Sequence, residues 1–155
     1  MGNSEEVVLK LAHNLKQSTL DPLLIKAYQA ANYYVRSAQP FTLQIGKVSD
    51  GVIDLCRRYG LSSATFITAY NPFGEVLTDK ENQQRNKQLK LEVNALDLPL
   101  IKGFGQDKLG EWGQEDSFLI FGLDLETAKA IGIKYEQNAI VWCGEDAIPR
   151  LMLLR

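Results

Sequence analysis

Residues 67–96, ITAYNPFGEVLTDKENQQRNKQLKLEVNAL, carry the pattern around which the rest of the chain is organised. The run from Ala64 to Tyr70 is β-branched and aromatic in its middle, which predicts a strand. Asn71-Pro72 should end that strand, because proline has no amide donor and restricts the residue before it. Thr78 or Asp79 can then cap a long amphipathic helix. The stretch therefore predicts a strand, a tight break and a helix that packs back on the sheet.

The sheet-facing side of this helix is polar in its first turns and apolar in its later ones. Residues spaced by threes and fours fall within an arc of about 100°. The side chains in that arc are Asn82, Arg85, Asn86, Leu89, Val93 and Leu96. Burying two amides and a guanidinium without partners would cost on the order of 1–3 kcal/mol each. These polar groups must therefore meet other protein groups or a ligand.

The other predicted elements come in adjacent pairs of strands separated by helices. Helices are expected over 4–17, 21–32, 49–58 and 124–135, and strands over 33–37, 41–46, 100–104, 117–123, 138–143 and 148–154. Paired strands favour an α+β fold, with a mainly antiparallel sheet and helices packed on it. The apolar strands 117–123 and 139–143 are expected in the middle. Residues 1–20 are predicted to be an N-terminal helical extension and residues 21–155 a single domain.

Composition and charge exclude several classes of function. A chain of 155 residues with 45% hydrophobic residues predicts one domain with an ordinary core. Seventeen basic against nineteen acidic residues give a net charge of −2, which argues against binding to duplex nucleic acid. No apolar run approaches 18 residues, so no membrane span is predicted. The start MGNSEEVV lacks the features of a signal peptide, so a cytoplasmic location is expected. Cys56 and Cys143 are interpreted as reduced packing residues.

No cofactor motif or metal cluster is recognised in the sequence. His13 is the single histidine and is predicted to be exposed, which argues against Ser-His-Asp catalysis and multi-histidine metal sites. The glycines of 103–113 are too widely spaced to form a phosphate-binding loop. Asp107, Glu111 and Glu115 repeat every four residues and could ligate a divalent metal, but they lie in a glycine-rich loop. Trp112 is expected to pin that loop to the core.

Eight polar side chains near strand ends and the start of the long helix are the candidate site residues. They are Thr68, Tyr70, Asn71, Asn82, Arg85, Glu115, Ser117 and Gln137. One interpretation is a structural network, in which Arg85 pairs with Glu115, Asn71 closes an Asx turn, and Thr68 and Ser117 bond across strands.

The second interpretation of these residues is a pocket for a small anionic or nucleotide-like ligand. Arg85 and the N–H groups at the helix start would bind the anion, and the amides would orient it. Glu115 is a candidate general base within that pocket. However, a carboxylate beside an arginine has a lowered pKa, which suits an orienting or metal-binding role better.

A protein interaction module without a pocket is the competing class of function. Loop 105–114 and helix 4–17 are the segments that could present apolar surface to a partner. Such a module predicts a flat apolar patch larger than a few hundred Å².

Several of these motifs together resemble a known family. They are ITAYNP, Asn82 and Arg85 followed by Leu89, GFG, Trp112 with the run 115–118, and Gln137 to Val141. In this combination the chain is similar, from about Ala27 to Arg155, to a family of small, mostly bacterial proteins catalogued only as a domain of unknown function. The resemblance implies a discrete domain and supplies no reaction.

Overall fold

The structure, a computed structural model, describes residues 18–110 and 112–155. The helices of this part are α1 (Pro22–Ala30), α2 (Asp50–Tyr59), α3 (Asp79–Ala95) and α4 (Leu125–Lys134), with a 3-10 turn at Pro72–Gly74. The strands are β1 (Asn32–Val35), β2 (Phe41–Leu43), β3 (Ala64–Ile67), β4 (Leu100–Gln106), β5 (Glu115–Phe121), β6 (Ala139–Cys143) and β7 (Arg150–Leu153). The predicted helix over 4–17, with His13, lies outside the described residues.

The seven described strands form one sheet in the order β2-β1-β4-β5-β3-β6-β7. Every neighbouring pair is antiparallel, which confirms the predicted α+β fold with an antiparallel sheet. Strand β5 lies in the centre, as expected from its apolar run. The expectation for 139–143 is wrong, because β6 lies next to the edge strand β7 and β3 takes the place beside β5.

Alternating side chains of the sheet build two cores on its opposite faces. On the first, here the α3 face, Phe118 and Ile120 share a cluster with the fully buried Leu89 and Val93 of α3, and α4 packs beside them. On the second, here the α2 face, Leu119 and other sheet residues pack against α2. The sheet is therefore buried on both faces over much of its area, and α1 lies near the α2 face.

Local capping signals explain where the helices begin and end. The side chains of Asp21, Ser49, Thr78 and Asp124 each accept a hydrogen bond from an amide of the first helical turn. Gly60 ends α2 with φ 66°, the left-handed conformation that glycine adopts most easily. No helix among the described residues is long and apolar enough to cross a bilayer.

The ends of several strands, and the burial of one residue at the end of α3, differ from the sequence predictions for physical reasons. Strand β3 ends at Ile67 rather than Tyr70, because the Ala69 N–H donates to the side chain of α3 residue Asn86 (2.8 Å) instead of to a strand. Strand β4 extends into the loop expected over 105–114, and β5 begins two residues earlier than predicted, so that Glu115 belongs to β5. Leu96 was expected in the core but is 48% exposed, because α3 stops at Ala95 and the chain turns away.

Candidate functional site

The polar first turns of α3 bind the segment that leaves the sheet after β3. The side-chain oxygen of Asn82 accepts from the Asn71 N–H (2.8 Å), and its amide donates to Asn71 Oδ1 (2.8 Å). Asn86 accepts from the Ala69 N–H and donates to the Asp116 carbonyl (2.7 Å). Both amides are buried. They therefore replace the strand partner that residues 69–71 lack.

Arg85 points inward, as predicted, but its partners differ from those expected. Its Nε donates to the Ala69 carbonyl and its Nη2 to the Tyr135 carbonyl, both at 2.6 Å. Its Nη1 lies 3.6 Å from Glu136 Oε1. The predicted pairing with Glu115 is wrong, because the early end of β3 leaves the Ala69 carbonyl without a strand partner and the guanidinium binds it. Arg85 thus joins the chain after β3 to the end of α4.

Thr68 and Tyr70 attach the same segment to β5. Thr68 Oγ1 donates to the Asp116 carbonyl (2.6 Å), which confirms a bond from Thr68 to the neighbouring strand. Tyr70 Oη donates to Asp116 Oδ2 (3.2 Å). Burial and the adjacent Asp116 charge raise the pKa of Tyr70 to about 12. The matching prediction for Ser117 is wrong, because its hydroxyl donates to the Glu115 carbonyl within its own strand (2.9 Å).

A cavity of about 520 Å³ opens on the α2 face, between α1, the sheet and the loops after β3 and β4. Six of the eight candidate side chains line it, namely Thr68, Tyr70, Asn71, Glu115, Ser117 and Gln137. Asn82 and Arg85 are not among the lining residues. They hold the chain after β3, which includes the lining residues Tyr70 and Asn71. Six of the predicted site residues therefore lie around one cavity. Asn82 and Arg85, the two residues of α3 that were expected to contact a ligand, do not line it.

Glu115 presents its carboxylate to this cavity. Its Oε1 accepts a hydrogen bond from Asn71 Nδ2 (3.0 Å). Burial raises the pKa of Glu115, and the Asn71 bond opposes that effect in part. The expected lowering of this pKa is wrong, since Arg85 is occupied elsewhere and no guanidinium of the described residues pairs with the carboxylate.

Asn71 holds the wall of the cavity through an arrangement wider than an Asx turn. Its Oδ1 accepts from the Leu77 N–H (3.1 Å), six residues along the chain, as well as from Asn82. Its backbone has φ 48°, a left-handed conformation that asparagine tolerates better than most residues. Gln137 supports the same wall, because its Nε2 donates to the carbonyls of Tyr70 (3.0 Å) and Tyr135 (3.1 Å).

Aromatic residues missed by the sequence analysis form the other walls. Tyr28 of α1 and Tyr33 of β1 line the cavity, together with Phe66, Phe73 and Trp112. The Tyr28 and Trp112 rings meet edge to face at 5.6 Å, and those of Tyr33 and Phe66 at 5.3 Å. Trp112 thus contacts α1, as a pinning residue should, but it stays 43% exposed. No sequence spacing connects these rings, which the tertiary structure brings together from α1, two strands, the 3-10 turn and the loop after β4.

Hydrogen bonds fix the two tyrosines, Tyr28 and Tyr33, on the side of the cavity formed by α1 and β1. Tyr33 Oη donates to the Tyr28 carbonyl (2.5 Å), and Asn138 Nδ2 donates to Tyr28 Oη (3.2 Å). Burial raises the pKa of both phenols, so both stay neutral at ordinary pH.

The charge of the cavity is acidic. Among the described residues that line it, Glu115 is the one carboxylate, and no lysine, arginine or histidine occurs. Nor does the described part of the chain contain a group of three or more His, Cys, Asp or Glu side chains placed to hold a metal ion. Glu111, one of the three acidic residues considered as metal ligands, lies outside it.

Comparison with known proteins confirms the resemblance to a family of unknown function for part of the stretch from about Ala27 to Arg155 that the motifs suggested. Residues 67–140 match the model of a family described as "Protein of unknown function (DUF3293)". The match contains all eight candidate residues and excludes Tyr28 and Tyr33. No curated protein and no solved structure matches the chain.

Proposed function

We propose that this domain binds a small organic molecule in the cavity on the α2 face. The observation that carries the proposal is a concavity of about 520 Å³ with aromatic walls and a few convergent polar groups. Sites for small ligands in proteins have this volume and this mixture of apolar lining and placed polar groups. Glu115, Asn71 and Tyr28 supply the polar groups, and the rings of Phe66 and Trp112 supply apolar contact.

Preorganised walls support a binding role. Asn71 is held by bonds to Asn82 and Leu77, and Tyr28 is held by Asn138. A ligand therefore meets side chains that are already fixed, and less free energy is lost in ordering them.

The contacts of Arg85 remove the main support for an anionic ligand. Its Nε and Nη2 donors are taken by the carbonyls of Ala69 and Tyr135. The described lining residues offer no other cation, and Glu115 would repel a phosphate or carboxylate group. A neutral or cationic ligand fits these charges better than a nucleotide or a sugar phosphate.

A fragment screen by ¹H-¹⁵N NMR tests this proposal. The chain has two tryptophans, which give separate indole N–H signals. Trp112 lines the cavity, whereas the Trp142 indole donates to the Leu123 carbonyl (3.3 Å) and packs on the α3 face. Fragments bound in the cavity should shift the Trp112 signal in a saturable manner and leave the Trp142 signal in place.

A variant that fills the cavity provides the control for the screen. Ser117 is buried at the cavity floor, so Ser117→Leu should abolish the shifts while the unchanged Trp142 signal reports a folded sheet. The proposal fails if a screen of neutral, cationic and anionic fragments shifts no cavity signal in the wild type. It also fails if Ser117→Leu binds the same fragments equally well.

A protein partner is the second candidate, and apolar exposure at the cavity rim favours it. Phe73 is 48%, Val76 85% and Trp112 43% exposed. Apolar side chains grouped at one opening are typical of a surface that a partner covers. If that partner is a second copy of the chain, sedimentation velocity should detect a dimer that Val76→Ser weakens. A monomer at high concentration would reject this form of the candidate.

A further inference from the structure

We propose that the ligand of this cavity is a cation, an amine carried on a flat apolar body, with Glu115 as its counter-ion. The inference rests on the proposed function and specifies the chemical class of its ligand. It differs from the anionic ligand that the sequence motifs suggested.

The first support is the incomplete pairing of the Glu115 carboxylate. A carboxylate can accept about four hydrogen bonds. Among the described residues, the neutral Asn71 amide donates to it, at 3.0 Å, and no arginine or lysine lies in the cavity lining beside it. A half-buried carboxylate with a neutral donor is poorly compensated, and a cation in the cavity would compensate it.

The second support is the aromatic enclosure around that carboxylate. The rings of Tyr28, Tyr33, Phe66, Phe73 and Trp112 line the same cavity. Ring faces attract cations within about 6 Å of their centroids, and flat apolar groups pack between rings. One contact of this kind already exists at the rim, where the Arg155 guanidinium lies 4.2 Å from the centroid of Phe73. Amines on planar bodies match both the charge and the walls.

Two further polar residues of the lining, Tyr28 and Gln137, carry no charge. Burial keeps Tyr28 protonated, and its oxygen already accepts from Asn138 (3.2 Å). Gln137 uses its amide nitrogen on two backbone carbonyls. The described lining residues therefore offer an ammonium group one carboxylate, and the Arg155 guanidinium stands at the rim on the Phe73 ring.

Three probes of one shape and different charge test the inference. Tryptamine is a cation at pH 7, tryptophol is its neutral alcohol, and indole-3-acetate is an anion. All three are small enough for a cavity of about 520 Å³. Affinities are measured by titration of the Trp112 and backbone signals in the wild type, Glu115→Gln and Asp116→Asn.

Glu115→Gln keeps an oxygen that can accept from Asn71 and removes the charge. Asp116→Asn is the matched control, because it removes a charge from the next residue, which is exposed and does not line the cavity, and keeps a side-chain oxygen that can accept from Tyr70 Oη. Tryptamine should bind the wild type on the order of tenfold more tightly than tryptophol, the contribution of one charge-assisted hydrogen bond. Glu115→Gln should remove most of that preference, and Asp116→Asn should change it less than about twofold.

The possible results of this experiment distinguish a failure of the proposed ligand class from a failure of the proposed binding function. The proposal of a cationic ligand is overturned if tryptophol or indole-3-acetate binds as tightly as tryptamine. It is also overturned if Glu115→Gln leaves the tryptamine affinity unchanged. Either result would retain the cavity as a binding site. Equal losses in Glu115→Gln and Asp116→Asn also overturn the proposal of a cationic ligand, because the effect would then be long-range charge. If none of the three probes binds, the cation is rejected, and the fragment screen alone decides whether the cavity binds other molecules.

Discussion

Asn71 and Asn82 hold each other through two hydrogen bonds of 2.8 Å that run in opposite directions. The backbone N–H of Asn71 donates to the Asn82 side chain, and the Asn82 side chain donates to the Asn71 side chain. Asn71 in turn donates to Glu115 in the cavity. A residue of α3 that does not line the cavity therefore sets the position of one that does.

The first prediction concerns this pair. Asn82→Ala should lower the free energy of unfolding by about 2–3 kcal/mol, because it removes two hydrogen bonds and leaves the Asn71 amide without its partner. Urea denaturation measures the change. Gln83→Ala, at the exposed neighbouring position, should change stability by less than about 0.5 kcal/mol. Equal effects of the two substitutions would contradict a specific role for Asn82.

Arg85 should prove to be a stability residue rather than a ligand residue. Arg85→Ala leaves the carbonyls of Ala69 and Tyr135 without their donor, so a loss of about 2–3 kcal/mol is expected. Arg85→Lys should recover little of it, because one ammonium cannot reproduce the fork of a guanidinium. The exposed Lys87→Ala is the control. Fragments that still bind folded Arg85→Ala in NMR titrations would support this role, and their loss from the folded variant would contradict it.

Gly103, the first glycine of the GFG motif, should be required because the structure leaves no room for a larger side chain there. A Cβ on Gly103 would lie 2.2 Å from the Tyr34 carbonyl oxygen and 3.1 Å from the Phe66 ring. Gly103→Ala should therefore disturb the β1–β4 pairing and cost about 3 kcal/mol or more. Gly105→Ala is the matched comparison, since its nearest new contact would be 3.7 Å from the Tyr33 ring, an ordinary distance. Thermal denaturation of both variants should rank Gly103→Ala well below Gly105→Ala.

Glu115 should make stability depend on pH. Its pKa is raised in the folded state above the ordinary 4.5, so folding favours the protonated form. Stability is therefore fullest below the unfolded-state pKa and falls as the pH rises through the folded-state pKa. Glu115→Gln should match the wild type under acidic conditions and become the more stable protein as the pH rises toward neutrality. Urea denaturation between pH 4 and 8 measures this, with the exposed Glu126→Gln as control for loss of one charge. If the stability advantage of Glu115→Gln over the wild type became smaller as the pH rises, the predicted direction of the pH dependence would be contradicted.

The two thiols should differ in reactivity. Cys56 and Cys143 form no disulfide in the structure, their reduced state in the cell stays a prediction, and burial raises the pKa of Cys143 to about 12. Cys56 is less buried and should be alkylated first, since the thiolate is the reactive form. Mass spectrometry should find Cys56 modified before Cys143 in the native protein, and two modified thiols after denaturation without reductant. A disulfide in the purified protein would contradict the predicted cytoplasmic location, which stays a prediction.

The sequence by itself determined which helices and strands the described residues form, and it placed the helix ends more closely than the strand ends. Periodicity located α3 and the buried Leu89 and Val93, and local capping residues marked the helix starts, because both signals depend on neighbours within one or two turns. Paired strands correctly predicted an antiparallel sheet. The polar face of α3 was also correctly expected to need partners, and Asn82 and Asn86 have them.

Only the tertiary structure decided which of those polar groups face the cavity. Arg85 binds backbone carbonyls that become available where β3 ends, and no side-chain pattern marks that end. Tyr28 and Glu115 are 87 residues apart in the sequence and line one cavity because β1, which follows α1, pairs with β4, and β4 pairs with β5. Long-range pairing sets such neighbours through sheet order and register. That is why the acidic, aromatic character of the cavity could not be predicted from the sequence.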